Sequence, residues 1–287
     1  MNGGVYTITD ENTVVSGLVG MGDRLFNMVF TRRPPQSMSR CISDPGYRAA
    51  ARFSYEEASA QYKVYVERLH SAGITVKELG PLEDYPDSVF IQDTAVIGGG
   101  SRVAVLARFG APSRRGEEGH VVSILSSMGL EIHPVKPPGT LEGGDVLVTG
   151  EGVVFAGLSS RTNREGVETL KTAFPNVNVE TLNAKGLHLL SHLGYLGKAT
   201  LISAEGLYDK SIFKRHGFDL IEIPWEERDA ANLLYLGEGR VLLPAGYNQT
   251  RDLLEQHGFR IVEAEIRQFM ACMGGVTCLS LPIYNIL

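Results

Sequence analysis

Hydrophobic and polar positions along the chain follow two periods, and the same succession recurs several times. An amphipathic stretch with helical spacing is followed by a glycine and then by a short run in which apolar and polar residues alternate. The stretches with helical spacing are Ala58–Ser71, His120–Met128, Ser211–Arg215 and Arg251–Gln256. Gly73, Gly129, Gly217 and Gly258 follow them, and we expect these glycines just beyond the helix ends in left-handed conformation.

A fifth copy of the unit is predicted at Asn163–Phe174. Two helix starts have the spacing of a capping box, Ser54-x-x-Glu57 and Thr162-x-x-Glu165. Apolar runs between the helices predict strands at Ser88–Ile97, Val103–Arg108, Val153–Ala156, Ala199–Ser203 and Val241–Pro244. Five strand-helix-strand units without a Pro- or Ser-rich linker predict one α/β domain built from internal repeats.

A doubly wound sheet is the alternative interpretation of alternating helices and strands. The sequence lacks its dinucleotide-binding fingerprint, because Gly17, Gly20 and Gly22 have the wrong spacing and the triplet Gly98-Gly-Gly100 precedes a predicted strand. A P-loop, an HExxH motif and paired CxxC motifs are also missing from the sequence. The sequence therefore predicts neither a nucleotide site nor a zinc site.

Composition narrows the class of protein further. The 287 residues are 43% hydrophobic and 21% charged, which is typical of a globular protein. A net charge of −6 without a Lys/Arg run argues against nucleic acid and favours a small-molecule partner. The apolar stretch at residues 14–21 is too short for a membrane span and lacks the basic start of a signal peptide. Three cysteines, an odd number, predict a reducing compartment and thus a cytoplasmic location.

Candidate chemistry begins at the C-terminus, where Cys278 stands between a glycine pair and an apolar run. A lone buried cysteine is often only a small hydrophobe, whereas a nucleophile needs a histidine, a carboxylate and substrate-holding charges. Five other segments carry unusual polar residues. They are Asp87-Ser-Val-Phe-Ile-Gln92-Asp93, Ser113-Arg114-Arg115-Gly116, Leu141-Glu142-Gly143-Gly144-Asp145, Ser160-Arg161-Thr162-Asn163 and Gly186-Leu187-His188-Leu189. Because a buried carboxylate needs a cationic partner, the acids embedded in the predicted strand Ser88–Ile97 point to a ligand such as a guanidinium.

In this order the six segments resemble the dimethylarginine dimethylaminohydrolases of the guanidino-group-modifying (amidinotransferase, or pentein) superfamily. The likeness runs from about Phe30 to Leu281. The resemblance implies a five-bladed α/β propeller over residues 27–287, with the active site in its central channel, after an N-terminal extension over residues 1–26. It implies that Cys278 is the nucleophile, His188 the acid and base, and Glu142 the carboxylate that orients the histidine.

The resemblance also implies a set of substrate-binding residues. They are Asp87, Gln92, Asp93, Arg114, Arg161 and Met38. The two aspartates would face the substrate guanidinium, and the glutamine stands where most of the family has glutamate. The two arginines would bind the amino-acid carboxylate, because a guanidinium fork donates two parallel hydrogen bonds. The methionine would lie on a loop that covers the substrate.

The activity implied is hydrolysis of Nω-methylated arginine to citrulline and methylamine or dimethylamine through a covalent alkylthiouronium intermediate. This chemistry requires neither a metal nor a cofactor. An arginine deiminase, which uses the same thiol chemistry in the same fold, stays open as an alternative. From another class, a non-catalytic binding protein of this fold is disfavoured, because the chain carries the cysteine, the histidine and the glutamate together. A homodimer also stays open.

A further hypothesis concerns Cys272, which lies six residues before Cys278. A disulfide between the two would inactivate the nucleophile under oxidising conditions. This disulfide would join two cysteines that lie close together in the sequence.

Overall fold

A computed structural model describes residues 23–43, 53–285 and 287, and these residues form a repeated arrangement of strands and helices. The strands are β1 (Phe26–Arg32), β2 (Thr75–Leu79), β3 (Ala95–Gly98), β4 (Val103–Leu106), β5 (Glu131–Pro134), β6 (Val146–Val148), β7 (Val153–Leu158), β8 (Asn178–Asn183), β9 (Leu193–Tyr195), β10 (Thr200–Ala204), β11 (Asp219–Ile223), β12 (Leu234–Gly237), β13 (Arg240–Pro244), β14 (Arg260–Ala264) and β15 (Ser280–Tyr284). The α-helices are α1 (Tyr55–Ser71), α2 (Gly119–Ser127), α3 (Arg164–Ala173), α4 (Lys210–Lys214), α5 (Asn248–Gln256) and α6 (Arg267–Met270).

The strands group into five units with one topology. In each unit an antiparallel strand pair is followed by a helix and by a strand that pairs in parallel with the preceding one, as in β3-β4-α2-β5. The other units are β6-β7-α3-β8, β9-β10-α4-β11, β12-β13-α5-β14 and β15-β1-α1-β2. The repeat predicted from the sequence is therefore confirmed. The doubly wound alternative is wrong, because the described strands form separate sheets of mixed direction.

The unit containing β1 is completed by the C-terminal strand. β15 pairs antiparallel with β1, with Phe30 opposite Leu281, and parallel with β3 on its other side. This pairing joins two units into one six-stranded sheet. Because Cys278 lies just before β15 and Asp93 just before β3, the two ends of the sequence-predicted site are brought side by side.

The helices lie where the hydrophobic periodicity predicts them. The four glycines that follow the repeated helices have φ angles between +69° (Gly129) and +86° (Gly258), as their positions predict. In this left-handed region a residue without Cβ is favoured. These helix ends are confirmed.

The two predicted capping boxes differ from the structure in their details. Ser54 Oγ accepts a hydrogen bond from Glu57 N at 3.2 Å, as predicted. The Glu57 carboxylate does not return to Ser54, however, because it accepts from Gln268 Nε2 at 2.6 Å. At the start of α3 the N-cap is Asn163, and the preceding Thr162 is used in the candidate site.

The predicted strand Ser88–Ile97 is wrong over its first part, since β3 begins only at Ala95. Residues Ile91–Thr94 form a 3₁₀ turn, in which Thr94 Oγ1 donates to Ile91 O at 2.7 Å. Asp93 therefore lies in a turn rather than within a strand. The apolar run resembles a strand because this turn is buried beside the candidate site.

The core that supports the site involves α1. Tyr65, Leu69 and Cys278 belong to one buried hydrophobic cluster. The Tyr65 hydroxyl donates a hydrogen bond to Val276 O at 2.9 Å. This contact connects the core directly to the segment that carries the cysteine.

The predicted N-terminal extension lies largely outside the described residues, and its boundary stays a prediction. Its last described residues contact the domain. Asp23 Oδ1 accepts from Glu238 N at 2.7 Å, and Arg24 Nη2 donates to Ala72 O at 2.8 Å. Within the described ranges, no helix combines the length and the apolar character needed to cross a membrane.

Candidate active site

One cavity brings together side chains from five of the six segments that the sequence singles out. The predicted site residues that line it are Asp87, Asp93, Arg114, Arg161, His188 and Cys278. A seventh predicted residue, Glu142, lies behind the histidine and is completely buried. The sequence positions of these residues span most of the chain, so the repeated units must come together around this point.

Cys278 is buried at the base of the cavity, with 9% of its surface exposed. Its Sγ accepts a hydrogen bond from Gly275 N at 3.4 Å. Burial and the nearby charge of Asp93 raise the pKa of the thiol to about 11. In the free protein the sulfur is therefore a thiol at neutral pH, and a positive charge is needed beside it to favour the thiolate.

The turn before Cys278 is held by Asn232, a residue that sequence reasoning missed. Asn232 Oδ1 accepts from Thr277 N at 3.0 Å, and its Nδ2 donates to Leu190 O at 2.9 Å. A Cβ on Gly275 would lie 2.3 Å from Asn232 Cγ, so only glycine fits there. Asn232 thus joins the cysteine turn to the histidine turn, and nothing in its local sequence indicates this contact.

His188 and Glu142 form a buried pair. His188 Nε2 lies 2.8 Å from Glu142 Oε2, and Glu142 Oε1 accepts from Gly110 N at 2.9 Å. Burial alone would lower the pKa of His188, but Asp93 and Glu142 outweigh it and raise the pKa to about 9. At neutral pH the imidazole is consequently protonated.

The glycine pair after Glu142 makes room for this arrangement. A Cβ on Gly144 would lie 2.7 Å from Asp93 Oδ1 and 2.8 Å from His188 Nδ1. Gly144 N also donates to Asp93 Oδ1 at 3.0 Å. Close approach, rather than turn flexibility, therefore explains the glycine in this motif.

Arg114 is enclosed by acids. Its Nη1 lies 2.5 Å from Asp93 Oδ2, while Nε and Nη2 donate to the two carboxylate oxygens of Glu117 at 3.0 and 2.8 Å. Nη2 also donates to Phe90 O at 3.1 Å. Burial would raise the pKa of Asp93, yet the charges of His188 and Arg114 hold it below its usual value.

Glu117 is a second residue that sequence reasoning missed. It is 1% exposed, and burial raises its pKa to about 7 despite the charge of Arg114. Its position three residues after Arg114 was a usable signal, because residues at this spacing on a helical turn face each other. The pair leaves Arg114 few donors for a ligand.

Arg161 has more freedom. Its Nη1 is buried and has no hydrogen-bond partner among the described residues, although Glu142 Oε1 lies 3.6 Å away. Asp87 is also at the cavity, where its Oδ1 accepts from Ile42 N at 3.0 Å. Burial raises the pKa of Asp87 above its usual value.

Besides Glu142, two further predicted residues do not line the cavity. Gln92 is 4% exposed, its N donates to Cys278 O at 3.3 Å, and its Oε1 is buried without a hydrogen-bond partner among the described residues. Met38 is completely buried in the hydrophobic core. Ile42, four residues later, is the residue of this loop that lines the cavity.

The residues that line the cavity fall into two chemical groups, which we name the polar wall and the apolar wall. The polar wall consists of Asp87, Asp93, Arg114, Arg161 and His188, and the apolar wall of Ile42, Leu187, Cys272, Met273 and Gly274. The apolar wall separates this cavity from a neighbouring one, since Leu187, Met273 and Gly274 line both cavities. Met273 has a φ of +62°, which is unusual for a long side chain and marks backbone strain five residues before Cys278.

A disulfide within the apolar wall overturns the Cys272–Cys278 hypothesis. Cys272 is bonded to Cys41, with 5.7 Å between the two Cα atoms, and Cys278 is the free cysteine. The bond links the loop of Ile42 to the segment before Cys278. This disulfide was not predicted, because the odd cysteine count was interpreted as a sign of a reducing compartment.

Asp93, Glu142 and His188 also have the composition of a metal site, with ligand atoms within 4.8 Å of one another. These atoms already pair with each other, with Arg114 and with backbone N–H groups. Such a saturated set does not need a metal ion to balance its charges. That the chemistry requires no metal or cofactor stays a prediction.

Together, a buried thiol, an imidazole paired with a carboxylate, and aspartates and arginines at one cavity define the class of guanidino-group-modifying enzymes. Comparisons with known proteins identify the family. The sequence profile of eukaryotic N,N dimethylarginine dimethylhydrolase matches residues 47–285. The chain belongs to this dimethylarginine dimethylaminohydrolase family.

Individual relatives agree with this assignment. The N(G),N(G)-dimethylarginine dimethylaminohydrolase of Pseudomonas aeruginosa is 33% identical over 90% of this chain and 99% of its own length. The enzyme of the same name from Streptomyces coelicolor is 36% identical over 79% of this chain and 86% of its own. A structure of the Pseudomonas enzyme, a cysteine-to-serine variant with citrulline, matches with a TM-score of 0.83 and 30% identity, covering 90% of this chain and 100% of that one.

Proposed function

We propose that this protein hydrolyses Nω-methylated arginine to citrulline and methylamine or dimethylamine. The observation that carries the proposal is the convergence of Cys278, the His188–Glu142 pair and two aspartates on one cavity. Family membership supports it, and so does the relative that holds citrulline, the expected product.

The polar wall suits a guanidinium. Asp87 and Asp93 line the cavity with Cys278, and a cation between them would compensate their charges. The same cation would lower the pKa of the Cys278 thiol, which burial holds at about 11 in the free protein. Substrate binding would therefore help to create the thiolate that attacks the substrate.

In the proposed reaction, the Cys278 thiol loses its proton to solvent as the cationic substrate binds, and the thiolate Sγ then forms a bond to the guanidinium carbon. His188, protonated at neutral pH, gives its proton to the departing methylated amine as the C–N bond breaks. The thiouronium intermediate that remains is attacked by a water whose proton passes to His188. Collapse of the adduct releases citrulline and the free thiol, and no oxidant or reductant is consumed.

The two arginines would have different roles. Arg161 has an unpaired buried Nη1, so its guanidinium is able to grip the α-carboxylate of the substrate. Arg114 already donates to Asp93, Glu117 and Phe90 O. We infer that it mainly fixes the aspartate and contributes to carboxylate binding through its charge.

The remaining expectations stand as parts of the proposal. The five units would be the blades of a five-bladed propeller, with the cavity in its centre and residues 1–26 as an extension outside it. Ile42, together with Met38 behind it, would cover the bound substrate. Gln92 does not line the cavity, so a contact between its Oε1 and a substrate N–H would require this buried oxygen to become accessible. A cytoplasmic location and a homodimer also remain proposals.

The test is a citrulline assay with Nω,Nω-dimethylarginine, Nω-monomethylarginine and arginine in parallel, with Cys278→Ser as the blank. We expect citrulline from the methylated substrates and none from the blank. Citrulline mainly from arginine would identify a deiminase instead. No product from any of the three, from a folded protein, would reject the proposed activity and leave an enzyme for a different guanidino substrate or a non-catalytic binding protein.

A further inference from the structure

Asp145, the second acid of the segment Glu142-Gly143-Gly144-Asp145, has no role in the reaction above. It is completely buried at the end of a 3₁₀ turn that precedes β6. Its Oδ1 accepts from Leu189 N at 2.8 Å, directly after the catalytic histidine. Its Oδ2 accepts from Ser159 Oγ at 2.6 Å.

Ser159 connects Asp145 to the loop of Arg161, the residue proposed to bind the substrate carboxylate. Ser159 Oγ accepts from Arg161 N at 2.9 Å and from Thr162 N at 3.1 Å. Thr162 Oγ1 in turn accepts from Glu142 N at 3.1 Å. One chain of hydrogen bonds therefore runs from the histidine turn through Asp145 to the backbone of Arg161 and Glu142.

The hydrogen-bond pattern requires the ionised form of Asp145. Two N–H groups occupy both lone pairs of Ser159 Oγ, so this hydroxyl is able only to donate toward Asp145. A protonated carboxyl would have no acceptor there. The negative charge also acts on the imidazole: burial lowers the pKa of His188, whereas Asp93, Glu142 and Asp145 raise it, to about 9.

We propose that Asp145 is a positioning residue, whose carboxylate fixes the His188 turn and the Arg161 loop relative to each other. It touches neither substrate nor reacting atoms in this role. The kinetic test of this inference rests on the proposed function, because it needs turnover of a substrate. The NMR titration of His188 does not depend on that function.

Two variants separate the two contacts of the Asp145 carboxylate, one with Leu189 N and one with Ser159 Oγ. Asp145→Asn keeps the shape and an acceptor for Leu189 N, but turns an N–H toward the hydroxyl of Ser159, which has no free lone pair. We expect kcat to fall about tenfold to a hundredfold, and the pKa of His188, followed by NMR titration of its ring, to fall. Ser159→Ala keeps the charge but frees the Arg161 loop, so we expect a higher KM and an unchanged titration of His188.

The control is Asp252→Asn, which removes an exposed acid from α5. A merely structural Asp145 would lower the melting temperature of both variants without moving the His188 titration or separating KM from kcat, and that result would reject the proposal. If Asp145→Asn does not fold, Ser159→Ala decides alone, and an unchanged KM rejects it. Should wild-type protein lack activity, the NMR titration still tests the inference separately from the proposed function.

Discussion

The polar and apolar walls of the cavity are built by different means. On the polar wall, Asp93 and His188 are held by partners from other segments: Asp93 by Arg114 and Gly144 N, and His188 by Glu142. The apolar wall has a disulfide, a strained Met273 and glycines in close packing. The difference indicates that the polar wall is preorganised for charge, whereas the apolar wall shapes the space around Cys278.

The largest effect on turnover is expected from removing the carboxylate that pairs with His188 on the polar wall. Glu142→Gln removes the negative partner of His188 Nε2, and we expect kcat to fall about a hundredfold or more. The imidazolium is present below its pKa and is lost as pH rises through about 9. In the variant this pKa falls, so the alkaline limb of the pH–rate profile should move to lower pH.

Glu165→Gln, an exposed acid in the first turn of α3, is the matched control. It should leave both rate and profile unchanged. A Glu142→Gln enzyme with the wild-type profile would mean that the polar wall does not set the protonation of His188.

The two arginines of the polar wall should respond differently to lysine. Arg161→Lys loses the fork that binds the carboxylate, and KM should rise about tenfold with little change in kcat. Arg114→Lys leaves buried acids without one of their partners, so the free energy of unfolding should fall by about 2 kcal/mol. Steady-state kinetics and chemical denaturation measure the two effects.

Arg115→Lys is the control for both, because Arg115 neighbours Arg114 but is exposed. If Arg114→Lys raised KM as much as Arg161→Lys and left stability intact, the separate roles assigned to the arginines would be wrong.

Cutting the disulfide should affect stability more than turnover. The Cys41–Cys272 bond closes a loop of 231 residues, and Cys272→Ser should lower the free energy of unfolding by about 2 to 4 kcal/mol. Turnover should change only a few-fold, since the polar wall is untouched. Denaturation, with Cys41→Ser as the matched variant, measures the loss.

Mass spectrometry after alkylation without reductant should find one labelled cysteine in the wild-type protein, Cys278. If Cys272→Ser turned over as slowly as Glu142→Gln, the distinction between the polar and the apolar wall would be wrong, because the apolar wall would then take part in the chemistry.

The smallest effect is expected at Gln92. Gln92→Glu adds a buried charge near Asp93 while keeping the shape, and the ratio of kcat/KM for dimethylarginine to that for arginine should change by less than about tenfold. Gln256→Glu, an exposed position on α5, is the control. A larger change would make Gln92 a main determinant of specificity.

Much of this arrangement was predictable from local patterns, and the failures have a common cause. Periodicity and glycine positions predicted α1 and its end at Gly73, because these depend on neighbours in sequence. The run Ser88–Ile97 was misread as a strand, because burial around a polar site produces the same apolar pattern as a sheet. Asn232 gave no signal at all, since its partners Thr277 and Leu190 are more than 40 residues away.

The sequence by itself determined the repeated unit, the positions of its helices, and the reactive residue types that a guanidino-group enzyme needs. These follow from the spacing of apolar residues and from side-chain chemistry. Only the tertiary structure decided which distant side chains meet: Cys272 with Cys41, Arg114 with Asp93, and Ile42 at the cavity. The physical reason is that pairing and pKa depend on distances and burial, which the order of residues along the chain does not specify.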